Sequence, residues 1–283
     1  MRKILYMKTL WCMGACLCLL LQGACTVRED RGPCPCYVDV DYRQVLSPTH
    51  AYDPAGRVEV AFFDAATDVG TDCRWTDVHG LDDCPEEEEV AVDKGTVRVV
   101  AVVHDHPLRH YLSDGTKITY AAGNEMDPLY VHTEQLDCTE EWTRCILQPH
   151  KQFSTLTFTD EQDGALCRQY HLLVRGTTCG LDAADLSAVE GPYLYTVQDT
   201  DAEGAIQVRI PRQLRDDLLL EFWEKREQRL LFTCPVGLYL FAAGYDPRAK
   251  DLPDYSLRID FRQAQVYLRV ADWTEEIIYS LYE

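Results

Sequence analysis

Positive charge is what this chain has least of. Against 47 aspartates and glutamates stand 27 lysines and arginines, a formal net charge of −20 over 283 residues. A surface so acidic repels nucleic-acid backbones and anionic lipid headgroups, which argues against both as electrostatic partners. Long apolar runs are missing as well. The most apolar stretch, Leu10–Leu21, falls short of the ~20 residues that a membrane-spanning helix needs. Catalytic signatures are absent: there is no Gly-x-Ser-x-Gly elbow, no His-Glu-x-x-His, no Gly-x-x-x-x-Gly-Lys-Ser/Thr and no Rossmann glycine fingerprint. Carboxylates are abundant, but abundance is not a placed acid–base pair. Nor is there any Cys-x-x-Cys pair; beyond the first 25 residues the one tight spacing is Cys34-Pro35-Cys36, too little for a metal site. Neither an enzyme nor a cofactor is expected.

What is present begins at the N-terminus. Arg2, Lys3 and Lys8 form a basic head, Leu10–Leu21 an apolar segment, and Gln22-Gly23-Ala24 a run ending in small residues just before Cys25. This is the layout of a secretory signal. A cysteine in that place is where a bacterial lipoprotein is cut and acylated, so residues 1–24 read as a signal peptide and Cys25 as the lipidated first residue of the mature chain. The alternative is ordinary cleavage after Ala24, since Gln22 stands where a lipoprotein site usually has Leu. Glu29 and Asp30 just behind the lipid site are compatible with display at the cell surface. Losing three of the 27 basic residues and no acid leaves 24 against 47, a mature net charge of −23.

Of the 13 cysteines, nine follow Cys25. Export permits disulfides, and the near pairs Cys73/Cys84, Cys138/Cys145 and Cys167/Cys179 are plausible partners. Nine is odd, so one thiol stays free or pairs between chains, and the connectivity is not legible.

From Cys36 onward the dominant period is two. Tyr37-Val38-Asp39-Val40-Asp41-Tyr42 and Arg57-Val58-Glu59-Val60-Ala61-Phe62 alternate as half-buried strands do. Similar stretches recur at 96–103, 117–121, 144–148, 153–159, 168–175, 193–198, 205–210, 217–224, 229–234, 255–262 and 265–271, with turn residues such as Asp53-Pro54-Ala55-Gly56 between them. Many short strands at this spacing predict an all-β chain of two tandem β-sandwiches. The expected organisation is a tether over 25–36, one sandwich over 37–150 and another over 151–283. Short helix is expected at 183–189 and after Cys234-Pro235, and an exposed acidic loop at 82–89.

Several clusters invite chemistry and have plainer readings. His104-Asp105-His106 with His110 could ligate a metal, but reads better as a polar turn stopped by Pro107. Glu86–Glu89 could bind calcium; a run of like charge is more often solvated. The Trp and Tyr residues of the last third could form a sugar platform, yet a sandwich core normally holds such residues. Cys34 and Cys36 read as tether residues rather than a redox pair.

Finally, a set of short motifs resembles one family. Cys25-Thr26-Val27-Arg28-Glu29-Asp30-Arg31-Gly32-Pro33-Cys34-Pro35-Cys36-Tyr37, Asp127-Pro128-Leu129-Tyr130, Gly176-Thr177-Thr178-Cys179-Gly180-Leu181-Asp182, Leu252-Pro253-Asp254-Tyr255-Ser256-Leu257-Arg258-Ile259-Asp260 and Val270-Ala271-Asp272-Trp273 resemble elements of the FimB-type fimbrial-anchor lipoproteins of Bacteroidetes, in the fimbrillin superfamily. The resemblance implies transthyretin-like sandwiches, fimbrillin-type pilus subunits as partners, lipid anchoring in the outer membrane, and assembly by β-strand complementation, with 37–45 the exchangeable strand. It also places Arg57 near a loop that an Arg-specific protease nicks in stalk subunits; nicking here would detach the chain from its lipid, a departure that fits an anchor. The rival reading is a surface lipoprotein that captures a glycan or other ligand.

Overall fold

A computed structural model describes residues 34–47, 56–65, 73–105, 110–112, 115–160, 170–197, 205–260, 265–270 and 277–280. Cys25 and Cys167 lie outside them. Strand dominates throughout. The first half carries β1 (Cys36–Asp41), β2 (Arg57–Asp64), β3 (Cys73–Gly80), β4 (Glu87–Val92), β5 (Thr96–His104), β6 (Lys117–Thr119), β7 (Leu129–Asp137), β8 (Trp142–Ile146) and β9 (His150–Lys151). The second half carries β10 (Phe153–Asp160), β11 (Tyr170–Asp182), β12 (Ser187–Val197), β13 (Ile206–Pro211), β14 (Leu219–Glu224), β15 (Arg229–Cys234), the short helix α1 (Val236–Ala242), β16 (Tyr255–Asp260), β17 (Gln265–Val270) and β18 (Ile277–Ser280).

Four sheets result, and the chain is an all-β sandwich protein. A three-stranded sheet β4-β1-β8 faces a five-stranded sheet β3-β2-β5-β7-β9; β13-β10-β16-β17-β18 faces β12-β11-β14-β15. In the first pair, alternate residues of β1 and β4 (Val38, Val40, Val90, Val92) meet Val58, Val60, Phe62, Val97 and Val99 in one apolar layer. In the second, Leu156, Phe158, Leu172, Val174, Ile206, Val208, Phe222 and Leu257 do the same. The period-two alternation is the imprint of sheets with one face in the core.

β2 and β5 break that alternation, and the fold explains why. Val97 through Val103 reads Val-Arg-Val-Val-Ala-Val-Val because both faces of β5 are covered. Val97, Val99, Ala101 and Val103 enter the first core, while Val100 and Val102 enter a third cluster with Phe63, Met126, Leu129, Phe153 and Leu181. That cluster joins residues from both halves, and Cys36–Glu283 forms one compact unit.

Hydrogen bonding also crosses residue 150. β6 adds to the second-half sheet by pairing with the end of β11: Thr119 opposite Gly180, Ile118 opposite Leu181, Lys117 opposite Asp182. The crossing is so close that a Cβ at position 180 would lie 2.0 Å from the Ile118 carbonyl oxygen. Only glycine fits there.

Other expectations are revised. Residues 183–186 form a turn rather than a helix, and Ser187 opens β12. The supposed acidic loop ends inside β4, because Glu87, Glu88 and Glu89 pair with Asp41, Val40 and Asp39 of β1. Glu88 sits on the same face as Val90 and Val92, so only Glu87 and Glu89 point outward.

Gly180→Ala should destabilise the protein by about 1–3 kcal/mol through overpacking against the β6 backbone. Denaturant unfolding checks this, and Gly95→Ala, where no atom lies within 4 Å of the added carbon, serves as a comparison in which only the positive φ is disturbed.

Candidate functional site

The cysteines are not arranged as expected. The described ones are thiols. Cys73 opens β3 opposite Phe63, while Cys84 lies beyond Gly80 at the other end of that strand. Seven residues of extended chain put Cys73 about 23 Å from Gly80, and the four residues from Gly80 to Cys84 cannot return the chain to the ~7 Å Cα separation that a disulfide allows. That pairing is excluded. Cys138 and Cys145 are both buried in the first-half core. Cys138 pairs by backbone with Gly95 and shares its apolar cluster with Cys36, whereas Cys145 pairs in register with Val40, further along β1. Cys179 is buried with its thiol 3.7 Å from the Val189 carbonyl.

Two clusters of metal-ligating types do occur among the described residues. In the first, His132, Glu134 and Cys145 converge. The Gln148 backbone N–H donates to His132 Nδ1 at 3.2 Å. The His132 Nε2 lies 3.5 Å from Glu134. The Cys145 thiol hydrogen-bonds Glu134, and burial with that carboxylate pushes its pKa far up. His132 Nε2 and Glu134 Oε1 are buried and have no hydrogen-bond partner among the described residues.

The second cluster lies where edge strands β3 and β4 meet. His79 Nε2 is 3.1 Å from Glu88 Oε2 and 3.7 Å from Asp77 Oδ2, and the buried Tyr42 hydroxyl donates to the same Glu88 oxygen at 3.0 Å. Burial and the Glu88 charge keep that phenol protonated.

Sequence reasoning overlooked Glu59. Buried on β2, it accepts from the Tyr111 and Leu112 N–H groups at 2.8 and 3.0 Å and faces His104 Nε2 at 3.1 Å and His110 Nδ1 at 3.8 Å. Thus His104 and His110 help bracket a loop to the sheet; His106 lies outside the described residues. Glu59 sits at an alternating strand position, and nothing local marks it as a bracket.

What the fold does present to a partner is sheet edge. β8 is the outer strand of its sheet, and along it Trp142 is 55 % exposed and Ile146 41 %. β15 closes another sheet with Leu230 and Leu231 about as exposed. Open strands with apolar side chains are what natural proteins avoid unless another strand covers them. A groove of about 660 Å³ also opens along edge strand β12, lined by Arg175, Thr177, Pro192, Tyr193 and Leu219 and rimmed by the Arg215–Glu190 ion pair at 2.6 Å.

With this geometry the chain can be set beside known proteins. No family model and no curated protein matches it. Solved structures do. A protein from Bacteroides thetaiotaomicron provisionally named as polysaccharide-binding shares the fold at TM-score 0.57 and 16% identity over 86% of this chain and 98% of its own. The fimbrial anchor protein Mfa2 from Porphyromonas gingivalis is similar at TM-score 0.56 and 12% identity, over 88% of this chain and 100% of its own. The fold is fimbrillin-type. A further B. thetaiotaomicron structure, provisionally an adhesin, matches at TM-score 0.57 and 14% identity over 89% of this chain and 100% of its own.

One charged node ties the β8 edge to the strands behind it. Asp41, buried at the end of β1, accepts from Arg43 at 2.6 and 2.9 Å and from Arg144 of β8 at 2.6 Å. The Arg43 guanidinium, followed by Arg144, holds the Asp41 carboxyl well below the usual carboxylate range. A depressed pKa contributes stability that is present above pH ~4 and lost as pH falls through the folded value. Asp41→Asn should therefore cost about 1–2 kcal/mol at pH 7, with the gap to wild type closing below pH ~3 in chemical unfolding curves.

Proposed function

We propose that this protein is an exported lipoprotein, acylated at Cys25 and held at the outer-membrane surface, that anchors or assembles a fimbria. Its partners are fimbrillin-type subunits, and the junction is a β-strand supplied by one subunit to an open sheet edge of another. The observation that carries this reading is the pair of apolar edges that no described strand covers, β8 with Trp142 and Ile146 and β15 with Leu230 and Leu231, on a fimbrillin-type fold. A donated strand satisfies the edge N–H and C=O groups and covers those side chains. The likeness to the anchor protein Mfa2 supports the anchoring role. Several acyl chains at Cys25 would give the stable attachment that a single chain does not. We read two tandem sandwiches, 37–150 and 151–283, with no catalytic activity, cofactor or bound metal.

The groove beside Tyr193 supports a second reading, capture of a glycan or similar ligand. Its Arg175 and Arg215 rim offers donors to hydroxyls or carboxylates, and the similar protein named as polysaccharide-binding is consistent with it.

A pulldown of the tagged protein from outer membranes, run in SDS without boiling, separates the two readings. Strand complementation yields a ladder with fimbrillin-like subunits that collapses on heating; glycan capture yields the protein alone and binding on a glycan array. Cys25→Ser should move the protein from the membrane pellet to the soluble fraction. Ile146→Lys and Leu231→Lys, tested separately, should identify the edge: the one that matters lowers the ladder at least tenfold with the melting temperature unchanged.

A further inference from the structure

Cys36 and Cys138 are both fully buried in the first-half core. Cys36 begins β1, opposite Val92 at the end of β4. Cys138 follows the last residue of β7 and exchanges both backbone hydrogen bonds with Gly95, at 2.8 and 3.3 Å, three residues past Val92. One residue beyond Cys36, the Tyr37 N–H donates to the Glu141 carbonyl at 2.8 Å, so the segment after Cys138 runs against the start of β1. Both side chains enter the same apolar cluster, where Cys36 is the cysteine that bears on the Cys138 thiol. Cys34, by contrast, is exposed.

We propose that Cys36 and Cys138 form a disulfide in the exported protein, stapling the first strand to the end of β7. The proposal rests on the export reading, because a reducing cytosol keeps such thiols apart. The reaction is exchange with a disulfide donor, a protein or small-molecule disulfide: both thiols give up their protons, one S–S bond forms here, and the donor's own S–S bond is reduced to two thiols. Burial, with Cys36 alongside, pushes the Cys138 thiol up to about 12, so little thiolate exists once the core has closed. The bond therefore forms while the chain is still folding, and the finished core shields it from reductant.

The bond has a consequence for assembly. It closes a loop of about 100 residues around most of the first half. With β1 covalently held, β1 cannot be the strand that is exchanged; a partner's strand must enter at another edge, and the expectation that 37–45 is the mobile strand is replaced.

The test is peptide mapping by mass spectrometry without reduction, on the full chain in two preparations. One is recovered from outer membranes, and the other is refolded in a buffer of oxidised and reduced glutathione. The expected result in both is a Cys36–Cys138 linked peptide, with both residues blocked to maleimide until denaturant and reductant are added together. Refolded protein in which Cys36 stays free, or pairs with Cys34 or Cys145, overturns the proposal whatever the cell does. Membrane protein lipidated at Cys25 with both thiols free overturns it while leaving export intact. Protein found only in the cytosol overturns the export reading, and the refolded sample still decides the pairing. As a second measure, Cys36→Ser should lower the melting temperature by about 10 °C relative to the oxidised wild type, and the same shift should appear in wild type refolded and melted in the presence of reductant.

Discussion

The three-stranded sheet of the first sandwich exists only because β1 is in its middle. β4 pairs with it antiparallel and β8 parallel, and the two outer strands share no ladder of their own. Withdraw β1, and both neighbours lose every sheet partner they have among the described residues, while Val38 and Val40 leave the apolar layer over Val58, Val60 and Phe62. The chain invests accordingly in holding it. Two arginines close on Asp41 at one end, and Cys36 is buried in the core at the other. Burial of two valines alone is worth about 3–6 kcal/mol, a sizeable part of the stability of an ordinary domain.

A second constraint is the seam between the halves. β2 and β5 are sandwiched on both faces, so their residues answer to two cores at once. β6 leaves the first half to pair with β11, which brings Gly180 onto the Ile118 backbone. Arg98 and Thr133 add to this seam by donating to the Ala184 carbonyl from the five-stranded sheet, at 2.6 and 2.8 Å. The halves are thus joined by backbone pairing, apolar packing and side-chain hydrogen bonds together.

Much of this was legible in the sequence. Alternation alone located β1, β10 and β13, while the burial of β2 and β5 on both faces emerged only with the fold. Three failures have physical causes. β4 was hidden because its outward residues are acidic and its one inward acid, Glu88, interrupts the apolar face where the Tyr42 hydroxyl and His79 supply partners. The turn at 183–186 reads as helix because alanines favour helix locally, whereas Ala183 and Ala184 are small here to fit the seam. Cysteine partners were misjudged because proximity in sequence says nothing about two residues at opposite ends of one extended strand. The apolar edges were unreadable for a similar reason: Trp142 and Ile146 look like core residues until the sheet order shows no strand beyond β8 among the described residues.

The direction of β1 between its neighbours has a mechanical meaning. A load entering at Cys36 and directed along the strand would pull β1 lengthwise past β4 and β8. In that geometry the hydrogen bonds of both ladders are strained together in shear, not opened one after another as when a hairpin is peeled from its end. Resistance to shear grows with the number of bonds that must break at once, so a strand paired on both sides from Tyr37 to Asp41 is well placed to transmit tension into the rest of the fold.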